Sequence, residues 1–457
     1  MGTKKLTIRR IPSETIVLGF TGPLGSGCTY FAKEIAEQNH YYYVSLTDPI
    51  KAEMLKLNLT PTAEIRQTIG NKLRKENKEP GYLLRIMVEK ADEDSRWNID
   101  PPELKGLVLD GIRNTGEVQY LRQFTNSFLF AIHADREKRM ERLVEYHKVD
   151  SEAEFNDVDK RDGAERGDYG QQVEKCTYLA DIIINNNPGK DIPRAAEDKK
   201  RDYVKDSSKR YVSLISTLIK GTITYEYPPR AHEACMTTAY CISKRSMCLK
   251  RKAGAVIATE SGEILATGYN NVPEGQDPCV FDTRLQQCAR DMVQQSAAAA
   301  LHYCPACGIK LIETFVCGNC GKKLDRYYKT CPHCKREADI EFVCRNPVCG
   351  NRVFENYIPG GKPEFGKLLD ICRSLHAEEM AIINLAKNLH GIPKGCVLYT
   401  TTYPCNLCAN KIVEAGISKV VYAEPYPMPE AVAILKGIVK TERFEGVKSS
   451  AFFHLYR

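Results

Sequence analysis

Mainly apolar runs, separated by charged stretches, recur through the first 190 residues of the chain. Such runs are typical of strands that are buried on both faces of a sheet. Three of them are predicted to be strands: Ile16–Thr21, Leu107–Asn114 and Phe128–Ala134. A helix is predicted over Tyr30–Gln38, and another follows the third strand. Residues 1–190 are therefore predicted to form one α/β domain.

The second half of the chain changes to strands that alternate with amphipathic helices. Two of the strands are joined by the turn-forming run Glu260–Glu263 and are predicted to form a hairpin. In chain order, the predicted elements are a helix over 233–246, strands over 253–259 and 264–270, a helix over 374–386, a strand over 396–401, a helix over 405–413 and a strand over 419–423. This order predicts a three-layer α/β sheet within residues 228–457.

A charged segment separates these two patterns. Asp191–Lys209 is rich in charged residues and contains Pro193, and Pro228 with Pro229 marks the start of the second pattern. Residues 191–227 are therefore predicted to form a linker between the domains. With 457 residues, the chain is long enough for each domain to bury its own core.

Composition narrows the class of protein. Hydrophobic residues make up 43% of the chain and charged residues 27%, which is ordinary for a soluble globular protein. No apolar run approaches the length of a membrane span, and the first residues lack an apolar signal segment. We expect a cytoplasmic protein with no membrane partner. The net charge of +7 is too small for this length to indicate nucleic-acid binding by itself.

Two short runs in the second domain carry reactive residue types. They are His376-Ala377-Glu378 and Pro404-Cys405-Asn406-Leu407-Cys408. Together they give H-x-E followed by P-C-x-x-C, the pattern of zinc-dependent nucleobase deaminases. His376, Cys405 and Cys408 are predicted to bind zinc and to leave a fourth position for water, whose pKa the zinc lowers. Glu378 is predicted to move the protons. A chance H-x-E beside a structural C-x-x-C is disfavoured, because both halves occur in the right order.

Eight of the 19 cysteines fall into four pairs within residues 302–351. Clustered pairs in a cytosolic chain indicate metal binding. The pairs are Cys304 and Cys307, Cys317 and Cys320, Cys331 and Cys334, and Cys344 and Cys349. They predict an inserted double zinc ribbon with two structural zinc ions, in which the pairs combine successively or are interleaved. A stabilising insertion is the favoured role, and a surface that binds nucleic acid or a partner is the alternative.

Three further cysteines, Cys279, Cys288 and Cys372, have irregular spacing. Another metal site is one interpretation. Buried thiols are the favoured one, because free cysteine is among the most buried residue types.

The first predicted strand leads into a glycine-rich loop and a helix. This loop has the shape of a phosphate-binding loop, in which glycines let backbone amides face a phosphate at the start of a helix. Cys28 stands where that pattern has a lysine, so phosphate charge would not be neutralised in the usual way. Asp110 ends the second strand as the acidic residue of such a site would. The candidate nucleotide-binding residues are Gly22, Gly25, Gly27, Cys28, Thr29 and Asp110.

The second domain resembles the deoxycytidylate deaminase branch of the cytidine deaminase-like superfamily. The resemblance rests on Gly254–Ile257, Gly268–Gly275 and the two zinc motifs. It implies that Asn270 contacts the deoxyribose and that Tyr426 closes over the base. It also implies that the substrate contacts Ala377, and that a phosphate site is formed by Lys250, Arg251 or Lys252. Turn chemistry for Asn270, core packing for Tyr426 and a solvated basic run remain the alternatives.

The first domain resembles the P-loop fold of nucleoside monophosphate kinases. Catalysis, nucleotide sensing and a relic scaffold all remain open for it, with sensing favoured, and a magnesium nucleotide is an implied ligand. The whole chain resembles bacterial anti-phage bifunctional dCTP/dCMP deaminases. That resemblance implies conversion of dCTP and dCMP to dUTP and dUMP, which depletes deoxycytidine nucleotides during infection. It also implies a homo-oligomer under the control of a regulatory RNA or a nucleotide effector.

Two rival functions are less well supported by the sequence. A deaminase of RNA or single-stranded DNA would use the ribbon to grip nucleic acid and would bind with a steep salt dependence. The run Gly268-Tyr269-Asn270, followed by Pro273, is typical of free-nucleotide substrates and argues against it. A silent deaminase is disfavoured because the zinc ligands and Glu378 are all present.

Overall fold

The computed structural model describes most of both predicted domains. The described residues are 10–98, 103–145, 151–165, 167–187, 209–217, 227–281, 372–388, 393–424 and 429–456, the single residues 6, 8, 149 and 288, and short segments between 315 and 353.

A six-stranded sheet forms the centre of the N-terminal region, in the order β15-β5-β4-β1-β3-β2. Five strands are parallel, and β15 runs antiparallel to β5. The strands are β1 (Ile16–Thr21), β2 (Tyr41–Ser45), β3 (Gly106–Ile112), β4 (Ser127–His133), β5 (Ile182–Asn185) and β15 (Gly446–Val447). Val17 packs into one hydrophobic cluster, while Leu18 and Phe20 pack into another on the opposite face. The predicted burial of β1 on both faces is confirmed.

Eight helices surround this sheet among the described residues before 187. They are α1 (Cys28–Asn39), α2 (Asp48–Lys56), α3 (Ala63–Glu76), α4 (Tyr82–Asp92), α5 (Thr115–Leu121), α6 (Arg136–Glu145), α7 (Glu152–Ala164) and α8 (Val173–Leu179). Helix α1 begins two residues before the predicted start, at Cys28. The glycine-rich loop therefore connects β1 directly to the first turn of α1.

A five-stranded sheet forms the centre of the C-terminal region, in the order β14-β13-β12-β6-β7. Its strands are β6 (Gly254–Ala258), β7 (Ile264–Tyr269), β12 (Val397–Thr402), β13 (Lys419–Glu424) and β14 (Lys440–Arg443). Its helices are α10 (Ala231–Ser243), α11 (Ala377–Asn388), α12 (Asn406–Glu414) and α13 (Pro429–Leu435). Val256 packs with α10, and Ile257 packs on the other face with α11 and α12. The predicted three-layer α/β arrangement is confirmed.

The end of the chain returns to the N-terminal sheet. Strand β15 pairs Val447 with Ile182, and it is followed by α14 (Ser450–Leu455). Ala451 and Leu455 of α14 pack with Leu214 and Ile215 of a helix over residues 209–217, which we call α9. The two sheets are thus joined by a strand as well as by the chain between them, a connection that no sequence pattern predicted.

Two short hairpins are described within the predicted ribbon. They pair β8 (Phe315–Val316) with β9 (Lys323–Leu324), and β10 (Phe342–Val343) with β11 (Arg352–Val353). Each hairpin brackets one predicted cysteine pair in the sequence. Cys320 is exposed and Cys334 is half-buried. The other six predicted ligands lie outside the described residues: Cys304, Cys307, Cys317, Cys331, Cys344 and Cys349.

The lengths of the helices bear on the expectation that the chain does not span a membrane. Among the helices of the described residues, none is both long and apolar enough to cross a bilayer.

A half-buried histidine lies where the two regions meet. His133, at the end of β4, is 14% exposed, and its Nε2 lies 3.6 Å from Asp135 Oδ1. Its Nδ1 accepts a hydrogen bond from Arg443 Nη1 of β14. Burial, followed by the charge of Arg443, lowers the pKa of His133 to about 4.

Acidification is therefore expected to destabilise the protein through His133. An unfolded histidine has a pKa of about 6.5, so the unfolded chain binds more protons than the folded protein between that value and the lowered pKa. The stability that the neutral ring contributes is complete above the unfolded pKa and is lost as the pH falls through the folded one. The free energy of unfolding is expected to fall by up to ~3 kcal/mol through this residue. Thermal unfolding of wild type and His133→Gln at neutral and acid pH should show a smaller acid-induced loss in the variant; equal losses would contradict this.

Candidate active site

Three side chains of the C-terminal region meet at one point. The ligand atoms of His376, Cys405 and Cys408 all lie within 4.8 Å of one another, the one such group found among the described residues. His376 Nδ1 lies 3.3 Å from Cys405 Sγ and 3.5 Å from Cys408 Sγ. Tetrahedral zinc with bonds of about 2.0–2.3 Å holds its nitrogen and sulfur ligands at nearly these separations. The donor set and its spacing therefore fit a zinc ion with one position left open.

Local structure explains how these residues converge. His376 directly precedes α11, Cys405 is the N-cap of α12, and Cys408 lies in the first turn of that helix. His376 was predicted within the first turn of its helix, but α11 begins one residue later. Leu375 forms a short antiparallel bridge with Asn271, with hydrogen bonds of 2.9 and 3.3 Å. This bridge holds the chain extended up to His376.

A glycine allows the zinc-binding helix to lie close to the sheet. A Cβ added to Gly268 of β7 would lie 2.3 Å from both the Ala377 carbonyl oxygen and the Ala381 nitrogen of α11. Because these are backbone atoms, they cannot move aside as a side chain could. A larger residue at Gly268 would therefore push α11 and His376 away from the cysteine ligands.

Glu378 lies beside the three candidate zinc ligands but is not one of them. Its side chain is 4% exposed. Its Oε1 accepts a hydrogen bond of 2.9 Å from Thr400 Oγ1, and its Oε2 lies 3.6 Å from Cys408 Sγ. Burial raises the pKa of Glu378. A buried carboxyl with a raised pKa, next to a metal-binding group, suits a residue that accepts and returns protons.

The pKa values of the two cysteine ligands are shifted in opposite directions. A hydrogen bond from Cys408, and another from His376, lower the pKa of Cys405 to about 4. The pKa of Cys408 is raised, first by its hydrogen bond with Cys405 and then by burial. The lowered pKa of Cys405 favours its thiolate, which is the form of cysteine that binds zinc.

Three residues that support the zinc ligands and Glu378 were not identified from the sequence. Thr400 orients Glu378, as described above. Glu379 Oε2 accepts a hydrogen bond of 3.4 Å from the His376 backbone nitrogen, and Glu379 Oε1 accepts one of 2.5 Å from Lys411 Nζ. Lys411 lies in the last turn of α12, so this contact ties the start of α11 to the end of α12. Only the position of Glu379, three residues after His376, could have suggested a capping role.

Asn270 uses both ends of its amide on the backbone. Its Oδ1 accepts a hydrogen bond of 2.7 Å from the Ala253 nitrogen, and its Nδ2 donates one of 2.8 Å to the Arg251 carbonyl oxygen. The side chain is 9% exposed. In this structure Asn270 therefore holds the basic run in place, and its contact with a deoxyribose stays a prediction.

The remaining predicted substrate residues that the structure describes have different environments. Arg251 forms an ion pair with Glu424 of β13, and Lys250 and Lys252 are exposed. Ala377 is fully buried in the core, and its contact with a substrate stays a prediction. Tyr426 lies outside the described residues.

The glycine-rich loop connects β1 to α1 as predicted, but a neutral thiol stands where the phosphate-binding pattern has a lysine. Gly27 is the N-cap of α1 with a φ of 100°, a left-handed conformation that favours glycine. Cys28 Sγ lies 3.4 Å from Ser26 Oγ, and burial, with Asp110 next, raises the pKa of Cys28 to about 12. Asp110 is buried and accepts a hydrogen bond of 2.8 Å from Tyr43. The thiol is therefore uncharged at neutral pH and supplies no cation for a phosphate.

The other predicted residues of the glycine-rich loop differ in exposure. Gly22 is buried, Gly25 is half-buried and Thr29 is exposed. Thr29 and Tyr43 form hydrogen bonds that oppose the rise in the pKa of Asp110 caused by its burial.

An internal carboxylate contacts the same loop. Asp162 of α7, which is 1% exposed, accepts a hydrogen bond of 2.9 Å from the Leu24 nitrogen and forms an ion pair with Arg113. One loop amide that could face a phosphate is thus bound to a residue of the chain. Sequence reasoning missed Asp162, because nothing in the sequence relates it to a loop so far away along the chain.

The irregularly spaced cysteines share one small cavity. Cys279, Cys288 and Cys372 line it together with Cys248, and its volume is about 20 Å³. All four are half-buried. Cys248 was not singled out from the sequence, where only its place beside the basic run could have drawn notice.

Comparison with known proteins identifies relatives of both regions. The profile of the cytidine and deoxycytidylate deaminase zinc-binding region matches residues 229–424. Deoxycytidylate deaminase of Enterobacteria phage T4 is 30% identical over 188 residues, which are 41% of this chain and 75% of the phage protein. Deoxycytidylate deaminase of Schizosaccharomyces pombe is 26% identical over 200 residues, 44% of this chain but only 39% of the yeast protein.

A UPF0200 protein of Methanocaldococcus jannaschii is 30% identical over 172 residues, which are 37% of this chain and 81% of that protein. This likeness fits a fused N-terminal region of a different family. The profile matches residues 229–424, and the alignment with the phage T4 enzyme covers 75% of that protein at 30% identity. The chain therefore belongs to the deoxycytidylate deaminase family and carries a UPF0200-related region.

Proposed function

We propose that the protein is a zinc-dependent hydrolase that deaminates dCMP and dCTP to dUMP and dUTP. The observation that carries the proposal is the buried carboxyl of Glu378 beside the group formed by His376, Cys405 and Cys408. Membership of the deoxycytidylate deaminase family supports a deoxycytidine nucleotide as substrate. The dCTP activity rests on the resemblance to bifunctional deaminases.

Each residue has a chemical role in this proposal. Zinc bound by the three ligands supplies the Lewis acidity that makes water a nucleophile near neutral pH. The Glu378 carboxylate accepts a proton from that water while oxygen adds to C4 of the cytosine ring. It passes this proton to N3. It then carries the remaining proton of the added hydroxyl to the exocyclic nitrogen, so that the C4–N bond breaks, ammonia leaves and C4 keeps a carbonyl oxygen. Thr400 keeps the carboxylate oriented during both transfers.

The N-terminal region is proposed to regulate the deaminase by binding a nucleotide rather than to act as a kinase. The neutral thiol of Cys28 supports this role, because phosphoryl transfer uses a cation at that position. The contact of Asp162 with the loop also supports it. A magnesium nucleotide is the proposed ligand of Gly22, Gly25, Gly27, Cys28, Thr29 and Asp110.

The inserted cysteine pairs are proposed to form a double zinc ribbon with two structural zinc ions. The hairpins that bracket Cys317 with Cys320 and Cys344 with Cys349 support this, since zinc-binding turns commonly lie at hairpin ends. The proposed divisions are residues 1–190 for the kinase-like domain, 191–227 for the linker, 228–457 for the deaminase and 302–351 for the ribbon.

The biological role is proposed to be anti-phage defence in the cytoplasm. Depletion of deoxycytidine nucleotides would starve the synthesis of phage DNA. We also propose that the protein forms a homo-oligomer. A regulatory RNA or a nucleotide effector would hold this oligomer inactive until infection. These features rest on the resemblance of the whole chain to anti-phage deaminases.

The proposal predicts ammonia release from free deoxycytidine nucleotides. The purified protein would be given dCMP, dCTP, CMP, CTP, deoxycytidine and a cytosine-containing oligonucleotide, and three zinc ions per chain are expected from metal analysis of the same preparation. Turnover of dCMP and dCTP, with the ribonucleotides and the oligonucleotide left intact, is the expected result. Turnover of the oligonucleotide alone would replace this proposal with a nucleic-acid deaminase that uses the ribbon as a clamp.

A further inference from the structure

An ion pair links the two helices that carry the candidate zinc ligands. Glu379 Oε1, in the first turn of α11, accepts a hydrogen bond of 2.5 Å from Lys411 Nζ, in the last turn of α12. Glu379 Oε2 accepts a second hydrogen bond, of 3.4 Å, from the backbone nitrogen of His376. One carboxylate therefore contacts both a zinc ligand and the other ligand-bearing helix.

The three ligands reach the candidate zinc site from two separate segments of the chain. His376 directly precedes α11, whereas Cys405 and Cys408 both lie at the start of α12. The distances from the imidazole to the two thiols therefore depend on how α11 lies against α12. These distances matter because zinc–nitrogen and zinc–sulfur bonds vary little in length.

Apolar packing holds the two helices together but is not directional. Ala381 of α11 belongs to the same hydrophobic cluster as Ala409 and Ile412 of α12. Burial of apolar surface opposes separation of the helices more than it opposes a small shift of one along the other. Among the described residues, and apart from the zinc ligands and Glu378, the Glu379–Lys411 pair is the one polar side-chain contact between α11 and α12.

The Glu379–Lys411 pair is too exposed to contribute much to the stability of the fold. The side chain of Lys411 is 44% exposed and that of Glu379 is 20% exposed. Water and salt screen such ion pairs, so they add little to the free energy of unfolding. A role in placing the zinc ligands can therefore be separated by experiment from a role in folding.

We propose that Glu379 is a positioning residue of the zinc site and that Lys411 acts through it. The pair holds α11 and α12 at the separation that the three ligands need, and its loss lowers the affinity for zinc rather than the stability of the fold. This inference rests on the zinc site of the proposed function, but it does not depend on the identity of the substrate.

Competition with a chromogenic zinc chelator would measure the zinc affinity of the full chain. Glu379→Ala is expected to lower the affinity of this site by about 10–100-fold, the range typical for loss of a residue that orients a metal ligand. Cys408→Ser removes one ligand, so the zinc that it lacks relative to wild type is the zinc of this site.

The Cys408→Ser background also isolates any effect on folding. Bound zinc stabilises the folded state, so a weaker zinc site would lower stability even if the fold itself were unaffected. In a chain that has lost this zinc, adding Glu379→Ala is expected to leave the urea midpoint of unfolding unchanged.

Two changes at Lys411 test whether the effect comes from the ion pair. Lys411→Met should also lower the zinc affinity, and the double variant with Glu379→Ala should lose no more than Glu379→Ala alone, because both changes remove the same contact. Lys411→Arg keeps the cation and should restore most of the affinity.

The matched control is Glu442→Ala, which breaks an ion pair of 2.5 Å with Lys419 and should leave the zinc affinity unchanged. The side chains of Lys419 and Glu442 are 32% and 37% exposed, similar to the pair under test. Lys419 lies beside Val397, at the end of β12 that is farther from Cys405.

Equal zinc affinity in wild type and Glu379→Ala would overturn the inference. So would a double variant that loses the sum of the two single effects, since Lys411 would then act independently of Glu379. A lower urea midpoint for Glu379→Ala in the Cys408→Ser background would assign the residue to folding instead.

Failure of the proposed function has a different signature. If no nucleotide released ammonia, the deaminase proposal would fall, while a lowered zinc affinity in Glu379→Ala would still support the positioning role. Equal zinc content in wild type and Cys408→Ser would overturn both the zinc site and this inference.

Discussion

Deamination is expected to fall by about 10²–10⁴-fold in Glu378→Gln, the range typical for loss of a general acid and base. Glutamine has the same shape and can still accept the Thr400 hydrogen bond, so the site should keep its geometry. It cannot take a proton from water or return one to the ring. The measurement is kcat for ammonia release from dCMP, with the zinc content of each preparation determined alongside.

The matched control is Glu414→Gln, which changes an exposed carboxylate at the end of α12. Its kcat and its zinc content should both stay at the wild-type level. Undiminished turnover in Glu378→Gln would remove Glu378 from the mechanism. A loss of zinc together with activity would instead assign it a structural role at the metal site.

Glu233→Ala is expected to lower the free energy of unfolding by ~3–5 kcal/mol, because it leaves a buried charge unpaired. Glu233 is fully buried and forms an ion pair of 3.1 Å with Arg210 of α9. Its carboxylate also accepts hydrogen bonds of 2.8 Å from the Val447 nitrogen and 3.0 Å from the Tyr456 hydroxyl. One side chain therefore joins α10, α9, β15 and the residue after α14.

Urea unfolding followed by circular dichroism would measure this effect. Glu260→Ala, in the exposed turn between β6 and β7, is the matched control and should change stability little. Tyr456→Phe removes two hydrogen bonds, the one that its hydroxyl donates to Glu233 and the one that it accepts from Arg210. It should cost about 1.5–3 kcal/mol, less than the alanine change at Glu233. A loss below about 1 kcal/mol in Glu233→Ala would mean that the ion pair does not hold these segments together.

Local patterns in the sequence predicted much of the fold. The run Ile16–Thr21 is mainly apolar and forms β1 with the same bounds. The hairpin of β6 and β7 was predicted because its strands are adjacent in the chain and are joined by a turn. The geometry of His376, Cys405 and Cys408 agrees with what their spacing suggested, since each motif lies at the start of a helix that its own residues define.

The features that could not be predicted depend on contacts between residues far apart in the chain. Asp162 contacts the glycine-rich loop, and Arg443 lies against His133, yet no local pattern distinguishes either from an ordinary surface residue. Asn270 stands in a recognisable motif, but the motif does not say that its amide is used by the backbone of Arg251 and Ala253. Such partners follow from packing, which periodicity does not contain.

The pairing of β15 with β5 has a consequence for the order of events at the ribosome. Residues of β5 leave the ribosome long before Gly446 and Val447, and the whole catalytic sheet is synthesised in between. Until then, the outer edge of β5 has unpaired backbone groups, and such edges can pair with other chains. A nascent N-terminal region therefore needs protection for most of translation. Its sheet is completed only when the deaminase that it is proposed to control has also been made.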